Sequence, residues 1–156
     1  MVDQFHQNAL ENIRQEGSKL RTYALYKKNI GLEDYLIKIK NVATRTQVTK
    51  FRLSNHRLAI EKGRHEGIQL ELRFCPFCKN KIENEVHFIT DCHTYAYMRQ
   101  ELYNELAKTN PSFRHLPPKD IFIFILENTN CEKVASFIYR SLELREFLLM
   151  NPRGKD

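Results

Sequence analysis

The chain has 156 residues, 42% of them apolar, with five glycines and five prolines, which fits one domain able to bury a core and excludes a low-complexity or disordered polymer. Its net charge of +6 is concentrated, because residues 19–81 carry fifteen Lys and Arg against five Asp and Glu while the segments on either side are each net −2. No basic-then-apolar leader opens the sequence and the longest apolar run, residues 121–126, is too short for a bilayer, so a soluble intracellular protein is expected.

Val2, Phe5, Ala9, Leu10 and Ile13 recur at helical spacing, with Gly17 as a stop and Ser18 as the cap of a second helix carrying Leu20, Tyr23 and Ala24. Leu32, Tyr35, Leu36 and Ile39 form another one-sided stripe. Asn41 stands where an N-cap is wanted, ahead of a helix reaching about Leu53. Ser54 and Asn55 read as a break and a fresh cap, Gly63 as the end of a short helix holding Leu58 and Ile60, and residues 64–72 as a loop or short extended piece. A short helix is expected over residues 85–91 and a longer one over 94–108, with Tyr95, Met98, Leu102 and Leu106 facing inward. Residues 110–118, which hold three of the prolines, read as a linker. The apolar run 121–126 suits a buried strand or a buried helix, and the preceding Pro117, Pro118 and Asp120 favour a helix start. Val134, Phe137, Ile138, Ser141, Leu142 and Leu149 give a last helix over 131–150. The expected fold is mainly α: a single helical domain with a small zinc-knuckle-like insert. Its parts are a basic helical segment (1–72), a zinc-binding knuckle (73–93) and C-terminal helices (94–150), packed as one domain.

Cys75, Cys78, His87 and Cys92 follow the spacing C-x2-C-x8-H-x4-C. A C-x2-C turn presents two thiolates on one side of a tetrahedron, and a distant His and Cys close the other, which is what Zn²⁺ requires. His93, next to Cys92, is a rival for the imidazole position. Such a site fills all four positions with protein, so the metal is structural and its removal unfolds the segment around it. A thioredoxin-like redox pair needs a strand–helix context that the surroundings lack, and a disulfide leaves Cys92 and Cys131 unexplained. Cys131 reads as a small buried hydrophobe.

The cationic excess beside the knuckle is suited to phosphate backbones, whose neutralisation releases condensed counterions; the plainer reading is a solvated, lysine-rich helical face.

Residues 51–65 (FRLSNHRLAIEKGRH), the run Arg73-Phe74-Cys75-Pro76-Phe77-Cys78, residues 83–88 (ENEVHF), Cys92, Tyr95 and Arg99 together resemble the zinc-binding region C-terminal to the reverse transcriptase of non-LTR retrotransposons. Residues 19–28 (KLRTYALYKK) are similar to the lead-in that accompanies it in animal elements and in host genes descended from them. The resemblance implies a nucleic-acid-associated module with Cys75, Cys78, His87 and Cys92 as ligands. Two departures qualify it: no Asp-Asp pair exists here, so polymerase activity is not implied, and His93 stands where the family often has proline.

The cations that flank the knuckle, Lys50, Arg52, Arg57, Lys62, Arg64, Arg73 and Lys79, are the candidate nucleic-acid contacts, giving affinity and salt dependence rather than sequence readout. Phe74 and Phe77 bracket the first thiols and either stack on unpaired bases or cover the metal and join the core. Tyr95 and Arg99 read as packing and a local ion pair. His56 and His65 read as solvated, and no arrangement of nucleophile, base and orienting group or of paired carboxylates suggests an enzyme. The competing readings are a zinc-stabilised scaffold whose last helix, with Phe147 and Leu148, docks on a protein partner, and a thiol oxidoreductase using Cys75 and Cys78.

Overall fold

The computed structural model describes residues 2–14 and 19–152. They form nine α-helices, and no strand occurs among the described residues: α1 (Val2–Arg14), α2 (Tyr23–Tyr26), α3 (Asp34–Lys38), α4 (Val42–Arg52), α5 (Ala59–His65), α6 (Glu85–Thr90), α7 (Ala96–Ala107), α8 (Pro118–Glu127) and α9 (Cys131–Met150). The mainly α expectation holds. The stop at Gly17 and the cap at Ser18 lie outside the described residues.

Local chemistry explains several of these boundaries. Asn41 caps α4, its side chain accepting from the Thr44 N–H at 2.9 Å. Pro118 opens α8, where its fixed φ and missing N–H cost nothing, and Asp120 lies in the first turn where the helix dipole favours an acid. Residues 121–126 are therefore helix rather than strand. Ile121, Phe122, Ile125 and Leu126 are buried while Ile123 and Phe124 are partly covered, as befits a helix packed on more than one side.

α9 packs along α3, α4 and α7, and α6 packs against α8. The main core gathers Phe51, Leu58, Phe88, Ile89, Tyr95, Phe122, Ile125 and Ile138, with Cys75 and Cys92 part of the same cluster. Phe88 is its hub: its ring lies 5.4 Å from Phe51 and 4.7 Å from Tyr95. A smaller cluster of Tyr35, Ile39, Val48 and Ala135 receives Cys131 at its edge.

Several expected elements differ. Gly63 does not end its helix but lies buried within α5, where a Cβ would sit 2.6 Å from Arg73 Cγ; the close approach of that side chain requires glycine. The turn that ends α5 uses Gly67, at φ +69°. Ser54 and Asn55 do not cap α5, which begins after Leu58; its Ala59 N–H is satisfied by Glu83 Oε2 at 2.6 Å, a cap from 24 residues away. The stripe at 32–39 yields only five helical residues, leaving Leu32 exposed. Residues 64–72 are the end of α5 followed by a 3₁₀ turn, Leu70–Leu72. The helix expected from Thr94 begins instead as a 3₁₀ turn, His93–Tyr95. The linker 110–118 holds a 3₁₀ turn (Pro111–His115) whose Phe113 stacks on Phe124 at 4.7 Å, so it is packed structure.

Candidate metal centre and the adjoining basic face

The knuckle is built from two short elements. Phe74 and Ile82 pair in an isolated antiparallel bridge, and between them the Cys75 carbonyl accepts from the Lys79 N–H at 2.8 Å, turning the chain so that Cys75 and Cys78 face the same way. Lys79 takes a positive φ of 62° to close that turn. α6 supplies His87 from its first turn, where Asn84 Oδ1 accepts from the His87 N–H at 2.8 Å, so the helix cap itself positions the ligand residue. The chain then leaves α6 with the Cys92 N–H donating to the His87 carbonyl at 2.9 Å, which delivers the third sulfur beside the ring.

The ligand atoms of Cys75, Cys78, His87 and Cys92 all lie within 4.8 Å of one another. Cys75 and Cys78 Sγ stand 3.8 and 3.7 Å from Cys92 Sγ. A tetrahedral ion with metal–sulfur bonds of about 2.3 Å separates its sulfurs by roughly 3.8 Å, so this spacing suits a metal of zinc's size. A disulfide is excluded for the same pairs by distance, since bonded sulfurs stand about 2.0 Å apart. All four cysteines are free thiols. Both ring nitrogens of His87 are buried without a hydrogen-bond partner, an arrangement that is costly unless one nitrogen binds a cation. Hydrogen bonding from Cys92 pushes the Cys75 thiol up to about 12, whereas bonding to Cys75 holds Cys92 below the usual thiol range. A divalent ion would be held by thiolates, so metal uptake at this cluster would release thiol protons.

Arg99 was expected in a local ion pair with Tyr95. Instead its guanidinium, buried on α7, donates to the Ile89 carbonyl at 2.7 Å and to the Cys92 carbonyl, while the Tyr95 hydroxyl is buried without a partner. No carboxylate touches the Arg99 side chain among the described residues. Its burial opposes the charge and the net shift of the guanidinium is downward, the neighbouring Tyr103, Cys92, Asp91 and Cys78 offsetting that cost only in part.

A second set of buried charges braces the knuckle. Glu85, fully buried at the start of α6, accepts from Arg21 at 2.9 and 3.1 Å, from Ser54 at 3.0 Å and pairs with His56 at 2.9 Å. His56 is therefore not solvated as expected; its side chain is 3% exposed. Burial raises the Glu85 carboxyl, but the His56 bond and the Arg21 charge overcome it and the net shift is downward.

The expected nucleic-acid residues divide. Lys50, Arg57, Lys62, Arg73 and Phe74 converge on two adjoining grooves along the end of α9, of about 600 and 660 Å³, with Arg57 shared by both. Arg57 and Lys62 are held only loosely, at 4.0 Å from Glu146 and 3.8 Å from Glu66, while Arg73 spends its guanidinium on the Ile60 and Ile68 carbonyls. Glu66, Glu143 and Glu146 share the rim. Phe74 is exposed at the groove, whereas Phe77 turns inward, edge-on to Tyr95 at 6.3 Å, and covers the knuckle. Lys79 is exposed on the knuckle turn away from both grooves, and Arg64 is clamped to Glu61 at 2.8 Å. Arg52 leaves the set altogether. It is buried between Tyr26 and Tyr35, 4.5 and 4.8 Å from their ring centres, and donates to the Leu126 carbonyl and Glu33, so no phosphate reaches it.

The chain matches no protein-family model, no curated protein and no solved structure. No helix among the described residues is long and apolar enough to cross a membrane.

Proposed function

We propose that the chain is a structural-zinc module that binds nucleic acid, RNA or DNA, chiefly through its phosphate backbone, and that it is related to the C-terminal part of a non-LTR retrotransposon reverse transcriptase or to a host protein derived from one. The observation that carries this reading is the Cys75–Cys78–His87–Cys92 cluster, spaced for a zinc tetrahedron beside grooves rimmed by Lys50, Arg57 and Lys62. With four protein donors no coordination position is left for water or substrate, so the metal is structural rather than catalytic and the reading assigns the module no enzymatic role. Zinc holds α6 against the C-x2-C turn and thereby fixes the groove wall formed by Phe74 and Pro76. Loosely paired rim cations exchange carboxylates for phosphates at little cost, and exposed Phe74 offers one base a stacking surface.

Titration of the zinc-loaded chain with a single-stranded RNA at two salt concentrations tests it. Affinity that falls steeply with salt supports the reading, and Lys50→Gln with Arg57→Gln should flatten the salt slope by about two. Absent or salt-indifferent binding overturns it. A second reading, a scaffold that binds protein rather than nucleic acid, is favoured by Phe147 and Met150, 61% and 74% exposed at the end of α9. Light scattering of the zinc-loaded chain that showed a stable oligomer closed through Phe147, with no RNA affinity, would select it.

A further inference from the structure

His93 stands just outside the four-ligand group, and its Nδ1 lies 3.2 Å from Cys78 Sγ. The three ligand sulfurs are not equally protected. Cys75 and Cys92 are buried in the core, whereas Cys78 is the ligand sulfur partly open to solvent. The His93 ring therefore sits on the vulnerable sulfur.

We infer that His93 is a positioning residue that shields the metal-bound thiolate of Cys78, donating its Nδ1–H to the sulfur and so making the knuckle hold its metal against electrophiles. The inference rests on the zinc reading of the same site. A metal-bound thiolate carries only lone pairs, so in a contact at 3.2 Å the ring nitrogen is the donor and Nε2 is left to solvent. The backbone does the same for Cys75, whose sulfur accepts from the Cys78 N–H at 3.5 Å. Cys92 anchors the shield. His93 is its direct neighbour, and the Cys92 carbonyl accepts from the Tyr95 N–H at 3.3 Å, closing the 3₁₀ turn that aims the ring at Cys78. His93 is not the fourth ligand, because His87 already brings a buried, partnerless imidazole within reach of all three sulfurs.

The chemistry follows from where the electron pairs go. With an alkylating agent such as iodoacetamide, a sulfur lone pair forms the new S–C bond and iodide leaves with the electrons of the broken C–I bond. The product is a neutral thioether, a poor ligand for zinc, and the ion is released. An N–H donor lowers the energy of the attacking lone pair and slows that step.

The test uses the full zinc-loaded chain as wild type, His93→Phe, which keeps a ring but no donor, and His93→Ala. Zinc release in excess iodoacetamide is followed with a colour-forming chelator, and mass spectrometry locates the first adduct. Both variants should release zinc about tenfold faster, with the first adduct on Cys78 and an unchanged rate at the remote Cys131. Equal rates for wild type and His93→Phe overturn the inference, as does acceleration in His93→Ala alone, which would leave steric cover as the whole effect. Cobalt spectra supply an independent readout. Both His93 variants should keep the tetrahedral absorption; if His87→Ala also keeps it and the double variant loses it, His93 is a ligand and the inference is wrong. A wild-type chain that takes up no metal overturns the zinc reading itself, an outcome distinct from any of these.

Discussion

Arg145 and Glu83 form a two-pronged ion pair inside the protein: Nε and Nη2 of the arginine donate to the two carboxylate oxygens at 2.8 Å each, with both side chains buried. Because Glu83 Oε2 also accepts from the Ala59 N–H, this one carboxylate joins the knuckle, α5 and α9. Removing one partner strands the other in a dry site, at a cost of about 3–5 kcal/mol. Arg145→Met and Glu83→Ala should each lower the unfolding free energy extrapolated from urea titration by that much. Glu83→Leu combined with Arg145→Met should recover a large part of the Arg145 loss, and a strictly additive double variant would show that the pair is not coupled.

Metal removal should be more damaging than any single substitution outside the four ligands. Structural zinc contributes on the order of 10–16 kcal/mol at neutral pH, as much as or more than the whole stability of a domain. Addition of a strong chelator should lower the melting temperature and abolish near-ultraviolet structure around Tyr95 and Phe88, which lie in the core cluster shared with Cys75 and Cys92. Cys92→Ser should behave like the chelated wild type. A chelated chain with an unchanged melting curve would remove the structural role.

The buried Arg99 has a distinct role to test. A dication held by three thiolates and a neutral imidazole carries one net negative charge, and Arg99, bonded to the Cys92 carbonyl, is placed to balance it. Arg99→Leu should weaken zinc binding by roughly 10–100-fold in chelator competition. Arg99→Lys should retain part of that affinity, because it keeps the charge while losing the second carbonyl bond. If Arg99→Leu destabilises the chain but leaves zinc affinity untouched, the residue serves only to cap α6.

Acid should weaken the fold through carboxylates far from the metal. Burial raises the Glu33 carboxyl, yet the bond from Lys27 and the Arg52 charge outweigh it and hold its pKa below the usual carboxylate range. A lowered folded-state pKa means stability that is present above the unfolded value of about 4.3 and is lost as pH falls through the folded value. Comparing wild type with Glu33→Gln at each pH cancels the metal's own titration. The wild-type advantage should be constant from pH 7 to about 5 and shrink below about 4.3; an advantage that persists at pH 3 would show that the ion pairs do not set it.

What the sequence by itself determined was carried by short stretches of backbone. The spacing of Cys75, Cys78, His87 and Cys92, the cap at Asn41, and the extents of α8 and α9 are read within a few residues, because caps, turns and helical periodicity act over one or two turns. What only the tertiary structure decided was which charges are free. Arg52, Lys50 and Arg57 look alike in the sequence, but Arg52 is buried with a partner at Leu126, 74 residues away, while the other two face a groove. Gly63 looked like a helix stop until Arg73 was found against it, and His56 looked solvated until Glu85 met it from α6. These partners are brought together by the packing of whole helices, and the dry surroundings that packing creates set whether a charge is spent on the fold or left for a ligand.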